Sequence, residues 1–143
     1  MEWSPISKPR DALQRAPNLA DYPAAYDGFS WDHVRTQLDG LPGGGLNMAH
    51  EALFRHLKGP VADRVAIRFL AQGAAAQDCT YRELAADARR FANVLAQLGV
   101  QRGERVASLM GRVPPLYATV LGTLAAGAIY CPLFSAFGPE PVK

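Results

Sequence analysis

The chain has 143 residues, of which 49% are hydrophobic and 20% charged, with a formal net charge of +2. That balance is globular rather than disordered, and with Lys and Arg scattered along the chain there is no basic stripe of the kind that binds nucleic acid or an anionic membrane surface. Cys79 and Cys131 form no C-x-x-C and have no Cys/His spacing suited to zinc, so they are expected to be reduced, mostly buried thiols of a cytoplasmic protein.

The first residues, Met1-Glu2-Trp3-Ser4-Pro5, have no basic region followed by an apolar one, which argues against a secretory leader. Residues 1–45 are rich in proline and glycine, with Pro5, Pro9, Pro17, Pro23 and Pro42, and read as an irregular arm with short helices. A turn of helix is expected over residues 11–15. Ser30 is placed to cap a second short helix whose Trp31, Val34 and Leu38 share a face. Tyr22, Tyr26, Phe29 and Trp31 are apolar anchors, expected to lie against a larger body.

Pro42-Gly43-Gly44-Gly45 reads as a turn. No Lys-Ser or Lys-Thr follows at Walker spacing, and Met48 stands where a third glycine of G-x-G-x-x-G belongs, so it is no phosphate loop. Asn47 is placed to cap a helix running to about Leu57. His50-Glu51 and His56 invite comparison with H-E-x-x-H, but six residues of separation turn the imidazoles about 240° apart on a helix. His33, His50 and His56 are therefore read as surface or hydrogen-bonded structural residues.

Residues 65–70 alternate as a strand, with Val65, Ile67 and Phe69 on one side, and residues 78–80 read as its hairpin partner. Thr80-Tyr81-Arg82-Glu83 is a capping box. The helix it opens has an apolar stripe of Leu84, Ala88, Phe91, Leu95 and Leu98 and stops at Gly99. Residues 105–110 read as a buried strand. Pro114 and Pro115 open a second helix that runs to Gly127, and residues 128–134 read as another strand. Strand, helix and strand within about 30 residues make a βαβ unit with parallel strands. The uncharged run over residues 113–139 is long enough to span a bilayer, but Thr119, Gly122, Thr123, Gly127 and Pro132 interrupt it, and helix plus strand accounts for it.

These residues give an α/β fold and no chemistry, since there is no carboxylate pair, no nucleophile with a base, and no glycine fingerprint after Met110 for a dinucleotide. The order of the segments goes further. Leu46-Asn47-Met48-Ala49-His50-Glu51-Ala52-Leu53 with Arg55-His56, then Asp63-Arg64-Val65-Ala66-Ile67, Thr80-Tyr81-Arg82-Glu83-Leu84, Phe91-Ala92-Asn93-Val94-Leu95 and Leu98-Gly99-Val100 succeed one another. Arg102-Gly103-Glu104-Arg105-Val106, Gly127-Ala128-Ile129 and Pro132-Leu133-Phe134-Ser135-Ala136-Phe137-Gly138 follow. This succession resembles the amino-terminal portion of the AMP-forming acetyl-CoA synthetases of the acyl-adenylate-forming superfamily. Asn18-Leu19-Ala20-Asp21-Tyr22 and Phe29-Ser30-Trp31 resemble the arm of the acetate-type members. Phe54, Gly111 and Pro115 depart from the family pattern, which has Asp, Pro and Glu at those places.

The resemblance implies the incomplete first part of a large AMP-binding domain over residues 46–143, preceded by the arm. It implies a complete ligase that uses ATP, Mg²⁺ and CoA, in which an acetate or other short-chain carboxylate attacks the α-phosphate of ATP and the CoA thiol then displaces AMP from the acyl-adenylate. The family's phosphate loop and mobile catalytic domain would lie beyond Lys143, so this segment is expected to be silent alone, to bind no cofactor firmly, and to have the remainder of the large domain as its partner. No catalytic residue or metal ligand is expected. Ser135, Ala136 and Phe137 resemble a family loop close to the CoA channel, the plain alternative being a strand-to-helix turn. The other reading is a stand-alone truncated product acting as a binding or interaction module, which no nucleic acid or membrane contact would define.

Overall fold

The computed structural model describes residues 17–136 and 138. The chain forms two compact units, one up to Leu38 and one from Asp39 onward, and each is described by itself. The helical turn expected over residues 11–15 lies outside the described residues.

The first unit has two short helices, α1 (Tyr22–Asp27) and α2 (Trp31–Thr36). Helix α1, which the sequence reading passes over, is capped by the Asp21 carboxylate accepting from the Ala24 amide, with proline in its first turn. Ser30 occupies the N-cap of α2 but its hydroxyl makes no capping bond, and α2 stops at Thr36, so Leu38 is not on its face. Tyr22, Tyr26, Phe29 and Trp31 are all exposed. Within the unit they pair, Phe29 with Trp31 edge to face at 5.0 Å and Tyr22 with Tyr26 at 6.1 Å.

The second unit opens with α3 (Met48–Ala52), capped by the Asn47 carboxamide oxygen accepting from the His50 amide. The helix expected to reach Leu57 breaks instead at Leu53, with φ −132° and ψ −61°, and continues as a 3₁₀ segment, Phe54–Lys58. The break turns Leu53 into the core, where it is 1% exposed against Leu84, Ala85 and Ala88. Asn47 has a second task. Its Nδ2 donates to the carbonyl of Leu124, 77 residues away, at 2.7 Å.

Strands β1 (Val65–Phe69) and β2 (Gln77–Thr80) form an antiparallel hairpin with a register shift between Val65 and Ile67. Arg68 faces Asp78 across it in a two-pronged ion pair, each contact 2.6 Å. Helix α4 (Tyr81–Gln97) starts on the capping box that the sequence predicts, with the Glu83 amide donating to Thr80 Oγ1 at 3.2 Å and the Thr80 amide to Glu83 at 2.8 Å. Thr80→Ala is expected to cost about 0.5–2 kcal/mol, with Thr80→Ser close to the parent, read as the urea midpoint. Leu84, Ala85, Ala88 and Leu95 are its buried residues. Leu98 is not part of that stripe: it is 74% exposed, because the helix ends at Gln97 and the chain turns away at Gly99. The turn is a Schellman motif, in which the amides of Gly99 and Val100 donate to the carbonyls of Ala96 and Leu95 while Gly99 takes φ +81°.

Strand β3 (Arg105–Leu109), helix α5 (Pro114–Ala125) and strand β4 (Ile129–Leu133) complete the βαβ unit, and β3 and β4 pair in parallel and in register from Arg105↔Ile129 to Leu109↔Leu133. Both sheets have two strands among the described residues. The strand read as buried is therefore mostly open: in β3 Ser108 alone is buried, and Leu109 and Ile129 are about half exposed. Helix α5 ends like α4, with the amides of Gly127 and Ala128 returning to Leu124 and Thr123. It packs closely on α4 through Gly122. No helix of the described residues is long and apolar enough to cross a membrane.

Among the described residues, four carboxylates are held below their ordinary range. An Arg82 hydrogen bond does this for Asp63 and an Arg68 hydrogen bond for Asp78, the Thr80 amide for Glu83, and the Gly40 amide for Glu51. A carboxylate whose pKa is lower in the folded chain than in the unfolded one stabilises the fold above the unfolded value and stops doing so as pH falls through the folded value. The urea midpoint is therefore expected to hold at neutral pH and to decline once pH drops below the ordinary Glu and Asp values of 4.5 and 3.8. A midpoint that rises on acidification would contradict this.

Candidate functional site

In open α/β sheets, ligands bind beyond the carboxyl ends of parallel strands. At that end of β3 and β4 lies a cleft of about 820 Å³, lined among others by Ser108, Met110, Arg112, Tyr117, Tyr130 and Ser135. The strands themselves set its floor. Ser108 from β3 and Tyr130 from β4 share a hydrogen bond of 2.5 Å between their hydroxyls. Each satisfies the other, so a polar pair can sit among Met110, Leu116, Val120 and Leu133 without a penalty for an unmade bond.

Ser135 and Ala136, the predicted site residues, form an exposed turn just after β4, and Ser135 reaches the cleft wall. Phe137 lies outside the described residues. Arg112, from the turn between β3 and α5, brings a cation to the same cleft. The sequence reading passed over Arg112 and the Ser108–Tyr130 pair; a lone serine inside an apolar strand was the available signal, since such a hydroxyl needs a partner.

The N-terminus of α5 borders this cleft, and such a terminus is often a cradle for phosphate. Here Pro114 and Pro115 occupy its first positions, removing two of the amides that would point at an anion. The hydroxyls further along turn back into the helix, Thr119 donating to the Pro115 carbonyl at 2.9 Å and Thr123 to that of Thr119 at 2.8 Å. Among the described residues no group of three His, Cys, Asp or Glu side chains is placed to hold a metal ion. The described residues therefore do not fit an ATP–Mg²⁺ site.

The remaining candidates are committed locally. His50 Nε2 meets Asp39 Oδ2 at 2.7 Å, His33 pairs with Gln37 at 3.0 Å, and the His56 ring stands edge-on to Tyr81 at 5.8 Å. Glu51 accepts from the amides of Asp39 and Gly40 and from Arg55. In the glycine turn the Gly44 amide is spent on the Leu41 carbonyl and the Leu41 amide on that of Gly45. Cys79 and Cys131 are free and half-buried, and burial pushes the Cys79 thiol up, away from reactivity. Phe54, one of the departures from the family pattern, packs on the core and lies under the Arg89 guanidinium, 5.0 Å from its centroid.

Comparison with known proteins gives this geometry a context. The AMP-binding enzyme family model matches residues 53–143. The acetyl-coenzyme A synthetase of Bacillus subtilis is 34% identical over 133 residues, 92% of this chain and 23% of that protein. The 3-hydroxypropionyl-coenzyme A synthetase of Metallosphaera sedula is 32% identical over 116 residues, 78% of this chain and 18% of that one. The crystal structure of an acyl-CoA synthetase from Brucella canis superposes with a TM-score of 0.76 at 36% identity, covering 85% of this chain and 22% of that one. The chain thus spans under a quarter of the length of these relatives.

Proposed function

We propose, from the premise that this chain belongs to the AMP-binding enzyme family, that it is the amino-terminal part of an ATP-dependent acetate or short-chain acyl-CoA ligase. The observation that carries this is the match to the acetyl-coenzyme A synthetase of Bacillus subtilis over 92% of the chain but 23% of the relative. Within the complete enzyme, ATP, Mg²⁺, CoA and the acid would be handled by the remainder of the large domain. This segment contributes scaffold: residues 1–45 as an arm and residues 46–143 as the opening of the large domain. Ser135, Ala136 and Phe137 are assigned a place near CoA; Ser135 shares its cleft with Arg112, a cation that suits a phosphate-bearing carrier. A cytoplasmic location goes with substrates of that kind.

The reading expects acetate-dependent exchange of pyrophosphate into ATP at background for the 143 residues alone. It also expects an antibody against residues 80–136 to detect a native species several times heavier than 15.4 kDa. Turnover by the isolated chain, or a native band near its own mass, removes the reading.

A further inference from the structure

A second cleft, of about 660 Å³, opens at the other end of the βαβ unit, between the glycine turn over residues 41–46 and the carboxyl end of α5. Among the described residues that line it, Arg102 carries the one charged side chain. No ion pair or hydrogen bond among the described residues takes up that guanidinium. The side chain is seated all the same. It lies so close over Gly127 that a Cβ there would stand 3.2 Å from Arg102 Cγ, and the negative end of the α5 dipole favours a cation at this place. The last carbonyls of α5 are already taken, that of Thr123 by the Ala128 amide and that of Leu124 by the Gly127 amide and Asn47 Nδ2. On the facing wall, the Gly44 and Leu41 amides close the turn, but those of Gly43, Gly45 and Leu46 donate to no acceptor among the described residues. All three residues are exposed. Beside them stand two apolar side chains in the open, Leu46 at 63% and Met48 at 70%.

We propose that this cleft binds a phosphate monoester carried on an apolar body, with the phosphate between Arg102 and the amides of the glycine turn and the body against Leu46 and Met48. A guanidinium fork and a row of backbone N–H groups both suit phosphate oxygens, and no carboxylate lines the cleft to repel them. The apolar rim selects for more than the bare anion, since it offers surface that only an apolar group would cover. The turn is no Walker loop, so the charge comes from Arg102, 57 residues after Gly45. This second site is additional to the ligase reading and does not depend on it.

Phenyl phosphate, titrated at constant ionic strength into the isotope-labelled 143-residue chain, tests it by nuclear magnetic resonance. Saturable shifts are expected at the amides of Gly43, Gly45 and Leu46 and at Arg102 Nε, with inorganic phosphate binding about tenfold more weakly. Arg102→Gln is expected to weaken phenyl phosphate at least about tenfold, and Arg102→Lys by less. Shifts that grow linearly, or that sodium chloride reproduces, mean ionic screening only and overturn the site. A folded Arg102→Gln that binds as the parent does overturns it as well. Should that variant unfold, the double variant Leu46→Ser with Met48→Ser decides, because both side chains are exposed and the fold does not rest on them. It is expected to bring the two phosphates to similar affinity. An unchanged preference for phenyl phosphate, or equal binding of the two phosphates by the parent, overturns the apolar wall and with it the proposed ligand.

Discussion

Gly122→Ala lowers the stability of the chain by about 1–3 kcal/mol, although the same change in an exposed helix would raise it by roughly 0.5–1 kcal/mol. The sign is decided by what a Cβ meets there. It would stand 2.5 Å from the Ala88 carbonyl oxygen and 3.0 Å from two carbons of Phe91. Phe91 can shift, but the carbonyl belongs to the backbone of α4, so the helices must part and the packing around Ala85, Ala88 and Leu121 loosens with them. Gly122→Val is expected to cost more than Gly122→Ala. Urea titrations followed by circular dichroism check both, and a midpoint that rises for alanine would mean that α4 and α5 separate freely.

Leu53→Ala is expected to cost about 2–5 kcal/mol, because it empties a site that is 1% exposed and enclosed by residues of α4, β1 and the 3₁₀ segment. Leu53→Met should stay within about 1.5 kcal/mol, since volume is kept. Leu98→Ala is the contrast: the residue is 74% exposed, and a change within about 0.5 kcal/mol is expected. If the two alanine variants unfold at the same urea concentration, the assignment of the core to Leu53 is wrong.

What the sequence made legible was local. The capping box at Thr80, the glycine ends of α4 and α5, and the prolines opening α5 are each settled by residues within a few positions of one another, and all stand where they were read. The break at Leu53 was not legible, because Asn47, His50 and Leu57 carry a good helical pattern and only the demand of a distant core turns the backbone there. Leu98 misled for the opposite reason: its spacing continues the stripe, but periodicity does not say that the helix has already ended. The exposure of β3 followed from its two-stranded sheet, which an apolar run cannot announce. For the candidate site, the Ser135–Ala136 turn came from resemblance and not from chemistry, whereas Arg112 and the Ser108–Tyr130 pair needed the register of β3 on β4 before they shared a cleft.

The bond from Asn47 to the Leu124 carbonyl has a consequence for how the chain is made. Its partners are separated by 77 residues, and at about 5–20 residues per second a ribosome needs roughly 4–15 s to traverse that interval. Throughout it, the amino-terminal helix of the second unit has a cap but no anchor, and in its first part Leu53 also waits for Leu84, Ala85 and Ala88. The nascent segment around Leu53 is therefore a site where a holding chaperone would find an apolar side chain in the open until α4 emerges, and Asn47 closes its loop only when the end of α5 follows.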